Sequence, residues 1–269
     1  MKKFFKIFGV EKPLIGVIHL PPTLSYKGFK GMNHIVSKAL KDARALEKGG
    51  VNGIIVENEY DHPHTIFVNK AQVACLTVVT KEVVDNVNLP VGVCVLRNDY
   101  EAAFSIAKAT GCRFIRLDVF VDEVKTNAGI IKVNPDNVMK FKTKIKCKNI
   151  LLLTDIQVKH ASLLKQKSIV ESAKEAKIKG SDAVIVSGKR TGIPPSVAKV
   201  KKVKNAVGEF PVLVGSGVNP ENIEKFVNHA DGFIVGTYFK RNSYIDERKV
   251  KKLVDTLSKK TNNSFGEGY

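Results

Sequence analysis

The chain has 269 residues, 43% of them apolar, which suits one globular domain with a single large core. No apolar run approaches the roughly 18 residues of a membrane-spanning helix, and the basic, phenylalanine-rich start lacks the apolar stretch of a secretion signal. The formal charge of +18 admits a polyanionic partner, but the lysines are spread over most helical segments without interleaved aromatic residues, so we expect a solvated basic surface and no specific nucleic-acid partner.

Short apolar runs typical of buried strands alternate along the chain with segments of helical periodicity. The candidate strands are residues 14–19, 53–57, 91–97, 114–119, 150–155, 183–187, 212–215 and 232–236. The clearest helical patterns are residues 34–48, 100–109 and 168–179, each followed within two residues by glycine, a C-cap signal. Eight such repeats predict a single α/β domain, a (β/α)8 TIM barrel over residues 13–258. A doubly wound open sheet is the main rival, but no G-x-G-x-x-G follows the first strand.

Two flanking segments lie outside the predicted barrel. Residues 1–12 form a basic, aromatic segment, which we interpret as a plug for the barrel bottom; an amphipathic membrane contact is the alternative. Residues 259–269 are polar and are expected to be disordered. The four cysteines show no C-x-x-C pair or zinc-ligand spacing, which favours reduced thiols and a cytoplasmic protein.

Polar residues end several of the predicted strands, and barrel active sites lie at these carboxyl ends. His19 and Asp155 end strands one and five, on opposite sides of an eight-stranded barrel, so they are the predicted acid/base pair, with Glu57 as a third participant. Lys159 follows strand five and is predicted to neutralise substrate charge or, if desolvated, to act as a Schiff-base nucleophile.

Further polar residues near the strand ends are the predicted substrate contacts. They are Asn58, Arg97, Asn98, Asp118, His160 and Ser187. A structural pairing of Arg116 with Asp118 inside the barrel is an equal alternative for that strand. The cationic loop 187–192 suits an anion, a lid or a plain connection. His62 and His64 offer metal ligands, but no third ligand is evident, so we predict no metal site.

Two strand patterns near the C-terminus run directly into glycine and a hydroxyl residue. They are residues 211–217, PVLVGSG, and 232–237, GFIVGT. In TIM barrels the loops after strands seven and eight often direct backbone N–H groups at a phosphate, and glycine lets the backbone approach it closely. The predicted phosphate-binding residues are Gly215, Ser216, Gly217, Gly236 and Thr237.

In order and register, several segments resemble the BtpA/SgcQ family, within the TIM barrels of ribulose-phosphate-binding type. The segments are IGVIHLPP (15–22), GGVNGIIVEN (49–58), VGVCVLRN (91–98), FIR (114–116), GII (129–131), DIQVKHA (155–161), PVLVGSG (211–217) and ADGFIVGT (230–237). The likeness extends from about residue 13 to about 255. The chain departs from the family pattern at Cys94, Asp118, residues 126–128 and residues 23–27, near the expected pocket rim.

The resemblance implies a barrel similar to phosphoribosylanthranilate isomerases, and its photosynthetic member is linked to photosystem I biogenesis. We therefore expect a protein that binds a phosphorylated sugar-like or nucleoside-like molecule and acts as an acid/base isomerase or lyase with no organic cofactor. The alternative is a non-catalytic assembly factor for a membrane complex that keeps the phosphate site. A membrane surface, through peripheral association, and a second copy of the chain, through homo-oligomerisation, stay open as further partners.

Overall fold

The computed structural model describes residues 2–132 and 134–263. Eight parallel strands form a closed barrel: β1 (Leu14–His19), β2 (Gly53–Glu57), β3 (Val91–Cys94), β4 (Phe114–Leu117), β5 (Leu151–Ile156), β6 (Ala183–Ser187), β7 (Val212–Gly215) and β8 (Gly232–Val235). Each strand pairs with its sequence neighbours, and β8 closes on β1 through the register of Leu14 with Phe233. Closure confirms the predicted TIM barrel and excludes the doubly wound sheet.

Helices cover the outside of the barrel and close its lower end. They are α1 (Lys2–Phe8), α2 (Met32–Gly49), α3 (Lys70–Asn86), α4 (Tyr100–Thr110), α5 (Pro135–Lys144), α6 (Ile169–Ile178), α7 (Val197–Val207), α8 (Glu224–Val227) and α9 (Glu247–Asn263). Side chains of Asn69, Asp99 and Ser168 accept backbone N–H groups at the starts of α3, α4 and α6. Within the described residues, no helix is long and apolar enough to cross a membrane.

Helix α1 closes the lower end of the barrel, as the plug interpretation predicts. Phe4 and Phe8 are buried in the inner cluster that fills the barrel, and the Phe8 ring lies 5.4 Å from the Phe114 ring. Gly53 makes room for this ring, because a Cβ there would lie 2.7 Å from Phe8 Cε1. The aromatic residues of the segment thus complete the core of the barrel.

Short antiparallel elements, which the sequence patterns do not reveal, build up the upper face. Strands Val124–Thr126, Gly129–Ile131 and Ser162–Leu163 form a small sheet from the loops after β4 and β5. After β8, a 3₁₀ turn (Thr237–Phe239) leads into a hairpin of Lys240–Arg241 with Tyr244–Ile245. These pieces are too short for a hydrophobic period to be recognised, yet they form the walls of the site.

The predicted C-terminal tail begins too early. Helix α9 continues through Asn263, so residues 259–263 are helical. The rest of that prediction, residues 264–269, lies outside the described residues.

Candidate functional site

Strand register places four inward-facing polar side chains next to one another at the upper end of the barrel. His19 is paired with Glu57, Glu57 with Cys94, and Cys94 with Arg116. All four residues are buried. Because side chains alternate along a strand, these positions share the inner face with Asp155 and Ser187 on the far side.

Arg116 is the centre of this group. Its Nε and Nη2 donate to Asp155 at 2.8 and 3.2 Å, and its Nη1 donates to Glu57 Oε2 at 3.3 Å. Burial by itself raises the pKa of Glu57, but Arg116, together with His19, Lys159 and the Cys94 thiol, outweighs burial and lowers that pKa to about 2. Glu57 is therefore ionised at any working pH, which makes it an anchor for Arg116 rather than a proton carrier.

Asp118 is the weaker partner of Arg116, at 3.9 Å, and lies closer to Arg97, with Nη2 to Oδ2 at 3.2 Å. The Arg116–Asp118 pair that the sequence allowed is therefore a weak contact, and Arg116 forms its hydrogen bonds with Asp155 and Glu57 instead. Burial, reinforced by the charges of Asp155 and Glu57, raises the pKa of Asp118 despite the two arginines.

Asp155 has both carboxylate oxygens engaged. Arg116 Nε donates to Oδ2 and Arg116 Nη2 donates to Oδ1. Ser187 Oγ also donates to Oδ1, at 2.6 Å. The side chain has no exposed surface. The sequence-predicted pair of His19 and Asp155 is therefore connected through Glu57 and Arg116, and Asp155 orients Arg116 instead of presenting a free base. Ser187, predicted to contact substrate, supports Asp155 in the same way.

His19 is held in the neutral form. Lys240 Nζ lies against Nδ1, while Nε2 lies 3.7 Å from Glu57 Oε1. With Nδ1 accepting from an ammonium group, the assigned tautomer carries its proton on Nε2, facing the barrel centre. Burial lowers the pKa of His19 to about 3; Glu57 opposes this shift, and Lys240, Lys159 and Lys38 reinforce it. Lys240, 221 residues away on the hairpin after β8, carries no sequence signal for this contact.

The two predicted phosphate loops line one small inner cavity, about 30 Å³ in volume, together with His19 and Lys159. Ser216 and Gly217 have left-handed backbones with φ of 72° and 65°, and Gly236 and Thr237 form the adjoining wall. A Cβ on Gly236 would lie 3.0 Å from His19 Nε2, so glycine lets the end of β8 pass the imidazole. Gly215 instead faces the packed core, where a Cβ would lie 2.9 Å from Ile185. The cavity brings Ser216, Gly217, Gly236 and Thr237 together and leaves Gly215 in a packing role.

Ser216 Oγ is buried and has no hydrogen-bond partner among the described residues. A buried hydroxyl without a partner costs stability unless a ligand or water satisfies it. The hydroxyl belongs to a residue that lines the inner cavity, so it is a ready donor for an anion bound there.

The loop 188–195 after β6 covers the predicted phosphate loops. A Cβ on Gly217 would lie 2.2 Å from Pro194 N, and one on Gly188 would lie 1.9 Å from Ile193 O, so only glycine permits this close packing of backbones. Thr191 and Gly192 of this loop complete the wall of the inner cavity. About 30 Å³ holds only one or two water molecules, so a phosphate group fits the inner cavity only where part of this wall shifts.

A wider outer cavity of about 370 Å³ adjoins the inner one and shares Lys159 and Thr191 with it. Its wall includes Glu59, His64, Arg97, His160 and the turn at residues 126–128. His160 accepts the Thr191 N–H at 3.3 Å, and burial, Lys159, Arg97 and Arg190 lower its pKa. The ammonium group of Lys159 forms no ion pair within the described part of the chain, but its charge lowers the pKa of Glu57.

Glu59 is the functional candidate that sequence reasoning missed. Burial, followed by the charge of Glu57, raises its pKa to about 7, against the opposing charges of Lys159 and Lys240. A carboxyl group with this pKa exchanges protons near neutral pH, as a general acid or base must. The available signal was its position two residues after Glu57, just beyond a strand end.

Asn58 and Asn98 are predicted substrate contacts that the structure places elsewhere. The Asn58 amide accepts from Leu96 N and donates to Leu96 O, and the Asn98 amide makes the same two bonds with Val119. Both side chains are buried and bridge neighbouring strand ends. Their role is to fix the loops that carry Arg97 and Asp118, because both amide groups are buried and bonded to the backbone of the next strand end.

The His62 and His64 rings meet edge to face on the rim, with centroids 4.7 Å apart and an interplanar angle of 72°. Among residues 2–132 and 134–263, no group of three His, Cys, Asp or Glu side chains is arranged to hold a metal ion. A separate cavity of about 560 Å³ at the opposite end of the barrel, between the N-terminal segment and α9, contains none of the residues of the charged network.

The chain matches the profile of the BtpA family over residues 10–259. It is 38% identical to an uncharacterized protein of Archaeoglobus fulgidus over 245 residues, covering 91% of this chain and 98% of that protein. It is 34% identical to the photosystem I biogenesis protein BtpA of Synechocystis, covering 90% of this chain and 85% of that protein.

Among solved structures, the chain resembles (S)-3-O-geranylgeranylglyceryl phosphate synthase from Thermoplasma acidophilum in complex with sn-glycerol-1-phosphate. The TM-score is 0.63 at 15% identity, covering 96% of this chain and 98% of that one. At this identity the likeness supports the barrel fold alone.

Proposed function

Because this chain belongs to the BtpA family and folds as a TIM barrel, we propose that it binds a phosphorylated sugar-like or nucleoside-like molecule and rearranges or cleaves it by proton transfer. The phosphate lies in the inner cavity against Ser216–Gly217 and Gly236–Thr237, and the reacting carbons lie above Arg116, between His19 and Glu59. The reaction class is isomerisation, or C–C or C–N lysis, and needs no organic cofactor.

The observation that carries the phosphate assignment is the buried Ser216 hydroxyl, which has no hydrogen-bond partner among the described residues and belongs to a residue that lines a cavity with Lys159. A phosphate oxygen satisfies this hydroxyl, and the lysine balances the charge. The glycerol phosphate named for the Thermoplasma structure makes a phosphate ester a sensible probe for this barrel.

Two groups at the site suit proton transfer. Glu59, with a pKa of about 7, takes a proton from a carbon or hydroxyl group at neutral pH. Neutral His19 donates a hydrogen bond from Nε2 to a carbonyl oxygen as negative charge develops on it, a role that a pKa of about 3 makes possible at any working pH. Burial favours the neutral form of both side chains; the charge of Glu57 adds to this shift at Glu59, and the charges of Lys240 and Lys159 add to it at His19.

A second candidate is an assembly factor with a retained phosphate site. It is favoured by the name of the Synechocystis relative, photosystem I biogenesis protein BtpA. Turnover distinguishes the two candidates once a ligand is known.

The substitution Ser216→Gly tests the phosphate site. It removes the hydroxyl and relieves a left-handed backbone, so stability is expected to stay equal or rise while affinity for glycerol 1-phosphate falls about 10–100-fold, the value of a hydrogen bond to a charged group. Binding is measured by calorimetry in phosphate-free buffer. Ser243→Gly is the matched control, since Ser243 has φ of 68° on an exposed hairpin turn. Equal affinities in the wild type and Ser216→Gly would refute the assignment.

A further inference from the structure

Arg97 has two buried donor nitrogens, Nε and Nη2, that no acceptor among the described residues satisfies. Asp118 Oδ2 lies 3.2 Å from Nη2, close enough for charge attraction but not aligned as an acceptor. A guanidinium group in such a place is costly unless a ligand accepts from it.

The surroundings of Arg97 point to the sign of that ligand. The outer cavity contains the Arg97 and Lys159 cations, and Glu59 is the one carboxylate among its described lining residues. Because the pKa of Glu59 is about 7, its charge is partly cancelled at neutral pH. The cavity thus has a positive wall and a volume of about 370 Å³, within the range of small-molecule sites.

Lys159 lies in the walls of both cavities, so the two cavities adjoin at this side chain. We propose that Arg97 binds a carboxylate of the same substrate whose phosphate lies at Ser216, which makes the substrate a phosphorylated sugar acid. The inference rests on the proposed phosphate site. A carboxylate is the group that fits, because two adjacent guanidinium donors form a planar fork and Asp118 already offsets part of the arginine charge.

The test compares matched ligands on the full chain by calorimetry at constant ionic strength. One series is glycerol 3-phosphate, ribitol 5-phosphate and sorbitol 6-phosphate. The other series, 3-phosphoglycerate, 5-phosphoribonate and 6-phosphogluconate, replaces the terminal CH₂OH group by a carboxylate. We expect at least one acid to bind about 10–100-fold more tightly than its alcohol, the value of a charge-assisted bidentate contact.

Variants then assign the gain to Arg97. Arg97→Gln should abolish the advantage of the acid and leave the alcohol phosphates unaffected. Arg97→Lys keeps the charge beside Asp118, so the fold is preserved while the planar fork is lost, and most of the advantage should disappear. Arg113→Gln is the control for net charge, because Arg113 is exposed at the opposite end of β4.

The outcomes separate this inference from the function on which it rests. If the alcohol phosphates bind and weaken in Ser216→Gly, but no acid binds better than its alcohol, the carboxylate site is refuted and the phosphate site stands. An acid advantage that persists in both Arg97 variants also overturns the assignment. If neither series binds, the phosphate site is absent and the carboxylate site is refuted with it.

Discussion

Replacing His19 by glutamine should change how the stability of the protein depends on pH. Burial, with Lys240 and Lys159 nearby, lowers the pKa of His19 to about 3 in the folded protein, against an ordinary value of 6.5. Above pH 6.5 the imidazole is neutral in both folded and unfolded chains, so its full contribution to stability is present. Below pH 6.5 the unfolded chain takes up a proton that the folded chain refuses, and the contribution is lost progressively until about pH 3.

The size of the effect follows from these two pKa values. Each pH unit in this window costs about 1.4 kcal/mol of unfolding free energy, and the whole window is worth on the order of 5 kcal/mol. Glu57 contributes a loss of its own only below its ordinary pKa of 4.5, since its folded pKa is about 2. Between pH 7.5 and 4.5, the difference between wild type and His19→Gln should therefore change by about 3 kcal/mol.

Urea denaturation at pH 4.5, 5.5, 6.5 and 7.5 measures this difference. The chain has no tryptophan, so far-ultraviolet circular dichroism is the suitable signal, and the transition must be shown to be two-state at each pH. Glutamine removes the titrating group and adds a constant offset that does not affect the slope. If the free energies of unfolding of the two proteins change in parallel with pH, His19 titrates normally in the folded state. The proposed role of His19 as a neutral hydrogen-bond donor would then be refuted.

Three other substitutions test separate parts of the argument. Glu59→Gln should change the pH dependence of stability in the opposite direction. A folded pKa of about 7, above the ordinary value of 4.5, gives a stabilising contribution that is full below pH 4.5 and is lost as the pH rises through 7. The same denaturation series measures this change, and an unchanged pH dependence would contradict it. Asp155→Asn removes one of the buried negative charges that balance Arg116, so it should lower the free energy of unfolding by about 3–5 kcal/mol in urea denaturation. Lost turnover at unchanged stability would instead make Asp155 a direct proton carrier. Phe8→Ala should lower the free energy of unfolding by about 3–5 kcal/mol in the same assay. Phe5→Ala is the control, because the Phe5 side chain is only half-buried, and an equal loss in both variants would contradict the plug role of α1.

The barrel and the position of the two glycine loops after β7 and β8 were predictable from sequence because their signals are local. A parallel strand buried on both faces is an apolar run, and glycine with a hydroxyl residue directly after such a run marks a backbone turn. His19, Glu57, Ser216 and Thr237 accordingly lie where the strand ends predict. The outward direction of Asn58 was also readable, since it follows inward-facing Glu57 in an alternating strand.

What the sequence by itself determined is therefore the architecture, the end of the barrel that carries the polar groups, and the loops that surround the inner cavity. The tertiary structure alone decided which groups can exchange protons, because a pKa depends on charges brought together from distant parts of the chain. Lys240 reaches His19 across 221 residues, Arg116 draws together Glu57 and Asp155, and Glu59 titrates near neutrality only because of the carboxylate and burial around it. Electrostatic interaction depends on distance in space, and no local pattern records that distance.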